Sequence, residues 1–81
     1  SSQIMYADEE NPAEIGANIP GNIVKLLVKE GDEVSEKQPV AVVEAMKMET
    51  NILAPMKGTV DKIYVEEGQQ VKAGELIARL S

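Results

Sequence analysis

The sequence predicts an all-β fold, a flattened β-barrel or sandwich of two four-stranded antiparallel sheets related by a pseudo-two-fold axis. Three observations carry this expectation. The apolar content is 43%, yet there are two tyrosines, no phenylalanine and no tryptophan. Burial therefore rests on Val, Ile and Leu, which suit a pleated sheet. Gly and Pro recur every few residues between short apolar stretches, which leaves no room for an amphipathic helix. Finally, the sequence repeats itself at an offset of 37 residues, laying GNIVKLLVKEGDEVSEKQPVAVVE (21–44) over GTVDKIYVEEGQQVKAGELIARLS (58–81). Identities fall at Gly21/Gly58, Lys25/Lys62, Val28/Val65, Glu30/Glu67, Gly31/Gly68, Val34/Val71 and Ala41/Ala78. Neither half can bury an apolar face alone, so the two must pack on each other.

Residues 1–15 carry Asp8, Glu9, Glu10 and Glu14 without a compensating base, and they show no strand or helix periodicity. They read as an acidic flexible linker, with a single domain over 16–81; such a linker spans about 20 Å root-mean-square. The Ser-Ser start fits a piece cut from a longer chain. Within the repeat, KEGDEV and EEGQQV read as turns, with Gly31 and Gly68 supplying positive φ. Gly21 and Gly58 occupy the matching turn positions that open each copy. Strict alternation breaks between Ile23 and Leu26 and again between Val60 and Ile63, the signature of a bulge in each half.

Between the copies lies AMKMETNILAPMK. A hairpin centred on Met46 and Lys47 pairs Ala45 with Met48, Glu44 with Glu49 and Val43 with Thr50, and sets Lys47 at the tip. Two-residue hairpin turns favour Asn, Asp and Gly. A Met-Lys tip breaks local turn chemistry, and such breaks mark functional positions.

The composition removes several kinds of chemistry. Fourteen acidic against eight basic residues give a net charge of −6, the wrong sign for a nucleic-acid surface. No apolar run approaches the roughly 20 residues that span a bilayer, so no membrane partner is expected. Without His or Cys, and without calcium-loop spacing among the acids, no metal site is expected. The facing Glu44 and Glu49 have no sugar-shaped cleft around them, so they are read as an electrostatic frame for Lys47, not as a catalytic dyad. No catalytic residue is assigned. Lys25, Lys29, Lys37, Lys57, Lys62 and Lys72 read as solvated surface charges. Lys47 differs because methionines flank it where solubility alone favours polar residues, and methionine makes adaptable contacts.

EAMKMET, residues 44–50, resembles the attachment motif of biotin carboxyl carrier domains, and the frame from Ile15 to Leu80 is similar to the whole biotinyl/lipoyl family. The resemblance implies biotin attached covalently to Lys47, with Glu44, Ala45, Met46, Met48 and Glu49 as its recognition frame. Lipoyl domains usually show Asp-Lys-Ala at the lysine, where this chain has Met46 and Met48. NPAEIGANIPGNI, residues 11–23, is similar to the entry of the C-terminal carrier domain of pyruvate carboxylases, although Ile19 replaces the usual methionine. By that resemblance the chain carries carboxybiotin between biotin carboxylase and carboxyltransferase domains after loading by a biotin protein ligase, and is itself not an enzyme. The expected setting is the bacterial cytoplasm, or the mitochondrial matrix in a eukaryote. Carriers of oxaloacetate decarboxylases and transcarboxylases, a lipoyl carrier and an unmodified adaptor remain the alternatives.

Overall fold

The computed structural model describes residues 4–81. Among the described residues eight strands follow one another: β1 (Glu14–Gly16), β2 (Gly21–Leu26), β3 (Glu33–Val34), β4 (Pro39–Ala45), β5 (Met48–Leu53), β6 (Gly58–Ile63), β7 (Gln70–Val71) and β8 (Leu76–Leu80). They form two four-stranded antiparallel sheets, in the orders β1-β8-β6-β3 and β5-β4-β2-β7. The space between the sheets is filled by Ile, Val, Leu and Ala. Ile23, Ala41 and Val43 are fully buried, and no polar or charged residue among the described ones joins them. No helix among the described residues is long and apolar enough to cross a membrane.

The 37-residue offset governs the pairing as well as the sequence. β2 meets β4 through Ile23–Val43, Lys25–Val42 and Leu26–Ala41, with a bulge between Ile23 and Lys25. β6 meets β8 through Val60–Leu80, Lys62–Arg79 and Ile63–Ala78, with its bulge between Val60 and Lys62. Every partner and the bulge itself recur 37 residues on, where the broken alternation predicts them. The edge strands are exchanged between copies: β3 of the first pairs with β6 of the second, and β7 of the second pairs with β2 of the first.

The glycine turns lock this exchange. Gly31 has φ 95° and Gly68 φ 90°, the left-handed region that favours glycine. Gly31 N donates to the Val60 carbonyl at 2.8 Å, and Gly68 N donates to the Ile23 carbonyl at 2.6 Å. Beside them, Glu30 Oε2 accepts from Ile63 N at 3.1 Å and Glu67 Oε2 accepts from Leu26 N at 2.9 Å. Each Glu-Gly pair thus caps the bulged strand of the other half, which satisfies backbone groups that the bulge takes out of the ladder. This explains why Glu30 and Glu67 match in the repeat.

Two expectations need correction. Gly21 and Gly58 are not turn residues; they open β2 and β6. Close approach favours glycine at both: a Cβ on Gly21 would collide with Val43 Cγ1 at 2.9 Å and with the Glu44 carbonyl, and one on Gly58 would sit tightly against Leu80 Cβ at 3.2 Å. Nor does the fold begin at residue 16. Ile15 is 2% exposed within the core, and Leu80 N donates to the Ala13 carbonyl at 2.7 Å. Further upstream, Tyr6 bridges Glu75, and Ala7 N donates to the Gly74 carbonyl at 2.9 Å. The acids Asp8, Glu9 and Glu10 stay in water on or beside a turn closed by Asn11 N and the Asp8 carbonyl, while the backbone around them pairs. Residues 1–3 of the expected linker lie outside the described residues.

These contacts predict that Glu30→Ala or Glu67→Ala lowers stability by about 1 kcal/mol, and that each Gln variant keeps most of it. On thermal unfolding this is a midpoint shift of about 4–8 °C for a domain of this size. Lys37 holds φ 69° where its repeat partner is Gly74, at φ 83°. Lys37→Gly should therefore stabilise and Gly68→Val destabilise, each by about 1 kcal/mol, as read from urea midpoints.

Candidate functional site

β4 and β5 form the longest hairpin, in register through Val43–Thr50, Glu44–Glu49 and Ala45–Met48. Two residues join them, Met46 at φ 52° and Lys47 at φ 66°. Positive φ at both central positions is the mirror-image turn whose twist matches paired strands. For residues with a side chain this conformation costs about 1–2 kcal/mol each. The well-paired arms impose the turn on residues that do not favour it. Local strain held by surrounding structure is a feature of functional positions.

The tip stands clear of the body. Met46 is 95% exposed and Met48 69% exposed, so neither is a core methionine. Lys47 is exposed as well. The ion pair among the described residues is Arg79–Asp61, so Glu44 and Glu49 flank Lys47 without pairing with it. The two acids lie opposite each other across the strands and point away from the core, both exposed. At the foot of the hairpin an open groove of about 860 Å³ reaches Lys47, with Asn22, Glu44, Gln69, Gln70 and Val71 among its walls. Gly21 lies in the same groove, where its missing side chain lets β2 and β4 approach.

The end of this hairpin is also where the two copies of the repeat meet. β1 pairs with β8 through Glu14–Arg79, Ile15–Ala78 and Gly16–Leu76. β5 pairs with β4 through Asn51–Val42, Ile52–Ala41 and Leu53–Pro39, nearly the same pattern 37 residues on. The copies therefore run over 14–44 and 51–81, with Ile15/Ile52 and Ala17/Ala54 as further identities. What remains between them is AMKMET, residues 45–50. Extending the alignment upstream of Gly21 would have revealed β1. Nothing in the sequence marked Asn22, Gln69 and Gln70 as groove walls, because they meet only through strand exchange.

An amine held out on a strained tip between two exposed methionines is suited to being modified. Residues 11–80 match the family model described as "Biotin-requiring enzyme". The chain belongs to this family. It is a biotin carrier domain, homologous to those of biotin-dependent carboxylases. The pyruvate carboxylase of Bacillus subtilis is 36% identical over 76 residues, covering 94% of this chain and 7% of that protein. The biotin carboxyl carrier protein of Streptococcus mutans is 56% identical over 59 residues, covering 73% of this chain and 45% of the relative. The chain thus spans a small part of the first and less than half of the second. Among solved structures, the urea carboxylase of Kluyveromyces lactis superposes with a TM-score of 0.79 at 28% identity, over 100% of this chain and 7% of that one.

The turn strain is directly measurable. Met46→Asn, which tolerates left-handed φ far better than methionine, should raise the thermal midpoint while leaving the hairpin register intact by amide exchange.

Proposed function

We propose that Lys47 is the residue that holds biotin, and that the domain ferries carboxylate between a biotin carboxylase and a carboxyltransferase of a pyruvate carboxylase. The observation that carries this is the position of Lys47: exposed, in no ion pair among the described residues, and set at the tip of the segment that joins the two copies of the internal repeat. These surroundings fit the group, since nothing packed around the tip obstructs a long substituent on Nζ. When bound, biotin supplies the ureido nitrogen that takes up and gives back carboxylate.

The chain's own part is attachment and delivery. In attachment, the neutral Lys47 amine attacks the acyl carbon of biotinyl-AMP made by a biotin protein ligase. A C–N bond forms, the C–O bond to phosphate breaks, AMP leaves and the amine releases a proton. The amide removes one positive charge, moving the net from −6 to −7. In delivery, the rigid hairpin fixes the origin of the arm, and tethering replaces free diffusion between sites by a high local concentration. Bond making belongs to the ligase and the parent's other domains. The parent's acceptor is read as pyruvate because relatives named pyruvate carboxylase occur in bacteria, a nematode and mammals, and because residues 11–23 resemble that carrier's entry. The proposed setting is the bacterial cytoplasm or the mitochondrial matrix.

Lys47→Arg keeps the charge and the fold and should abolish biotin incorporation. Intact mass after co-expression with a biotin protein ligase checks this: wild type should gain one biotinyl group and the variant none. Biotin retained by the arginine variant would refute Lys47 as the site, and a lipoyl group on wild type would refute the cofactor.

A further inference from the structure

The internal two-fold fixes the backbone of both copies alike where β4 and β8 begin. Ala17 N donates to the Glu75 carbonyl and Gly74 N to the Ala17 carbonyl, at 2.9 and 2.8 Å. In the first copy Ala54 N donates to the Gln38 carbonyl and Lys37 N to the Ala54 carbonyl, at 2.8 and 2.7 Å. The outer side of this stretch differs. In the first copy Pro39 has no N–H to offer, and a proline on an edge prevents a further strand from adding. In the second copy Leu76 stands there; its N donates to the Met5 carbonyl at 2.8 Å, while Ala7 N donates to the Gly74 carbonyl at 2.9 Å. Tyr6 bridges Glu75 between these bonds. Two more departures from the two-fold make room for the segment. Gly16 stands where the first copy has Leu53, and a Cβ there would lie 3.0 Å from that of Ala7. Gly74 stands where the first copy has Lys37, and a Cβ there would already touch the Tyr6 ring at 3.6 Å.

We infer that residues 4–7 are a strap that binds and leaves the Gly74–Leu76 edge as one unit, while the turn behind it stays in place. The hold is slight. Two main-chain hydrogen bonds are set against the ordering of four residues. Ile4, Met5 and Tyr6 remain 40%, 51% and 56% exposed, so little apolar area leaves water when the strap closes. The hinge is defined by what adjoins it. Asp8 N is held by Glu14 Oε1 at 2.7 Å, and the Asp8 side chain and carbonyl accept from Glu10 N and Asn11 N at 2.9 Å each. Glu14 belongs to β1, so the chain is anchored from Asp8 onward and free to swing before it. Closed, the strap sets Ile4 into the wall of the groove that reaches Lys47, a wall it shares with Gln70 and Glu75. Open, it removes that part of the wall and adds four residues, about 13 Å of extended chain, to any segment that leads into the domain. What this does for delivery rests on Lys47 being the acceptor, since the reach of a tethered group follows the length of its linker. The opening itself does not depend on that reading.

Amide hydrogen exchange on the intact chain tests the strap without reference to biotin. Ala7 and Leu76 should show matching protection, about 10- to 100-fold over the free-chain rate, and at least about 100-fold less than Gly31 and Gly68 in the turns, as a locally opening unit does. Leu76→Pro, which copies Pro39 of the first copy, should abolish protection at Ala7 and leave Gly31 and Gly68 protected. An absence of protection at Ala7 and Leu76 in the unaltered chain would overturn the docked state. Protection equal to that of Gly31 and Gly68 would overturn its release. Should Leu76→Pro fail to fold, Ala7→Pro decides, because it alters the strap alone. It should bring the Leu76 amide to the free-chain rate with Gly31 and Gly68 unchanged, and a Leu76 amide that stays protected would overturn the proposal. Intact mass after loading reports on Lys47 separately, so a failure of the acceptor reading leaves these amides as they are.

Discussion

Two reciprocal Glu-Gly clamps hold the structure together. Gly31 and Glu30 bind the bulged strand of the second copy, and Gly68 and Glu67 bind that of the first. They do this because each copy lends its short edge strand to the other, so that each sheet has an inner pair from one copy flanked by strands of its twin. A core with little aromatic volume closes in this way. Short Val, Ile and Leu strands fill the space between two sheets whose edges are tied by the partner copy. With no buried polar residue to satisfy among the described residues, the core places few demands on the surface.

That freedom is what the proposed function would use. The two copies account for residues 14–44 and 51–81, and the six residues between them project from the end of a sheet they barely help to fill. The scaffold can impose a left-handed turn on Met46 and Lys47 because six paired positions of β4 and β5 stand behind it. A lysine in such a place is rigid at its backbone and free at its amine, as a tethering point requires. The same two-fold that makes the halves alike also exposes where they differ, as at Pro39 and Leu76.

Much of this was legible in the sequence, because repeat, turns and bulges are written in local patterns. The bulges showed as matched breaks in alternation at Ile23–Leu26 and Val60–Ile63, and the register of the Lys47 hairpin followed from symmetry about its tip. The role of Glu30 and Glu67 was not legible, since each meets its partner strand only after long-range exchange. The N-terminal boundary was misplaced for a related reason: Ile15 belongs to the core through β8, at the far end of the chain, while the acids before it carry the composition of a solvated tail. Gly21 and Gly58 matched in sequence, but close packing and positive φ leave the same mark on a sequence.

The account's central claim is that the two copies fold only as one interlocked unit, with the Met46–Lys47 tip outside the structural requirement. Cutting the chain between Met46 and Lys47 tests it most directly. Fragments 1–46 and 47–81, mixed in equal amounts and followed by circular dichroism on heating, should reassemble and melt in one cooperative transition, and each alone should be unfolded. A cooperative transition from either fragment by itself, or failure of the pair to reassemble, would contradict the account.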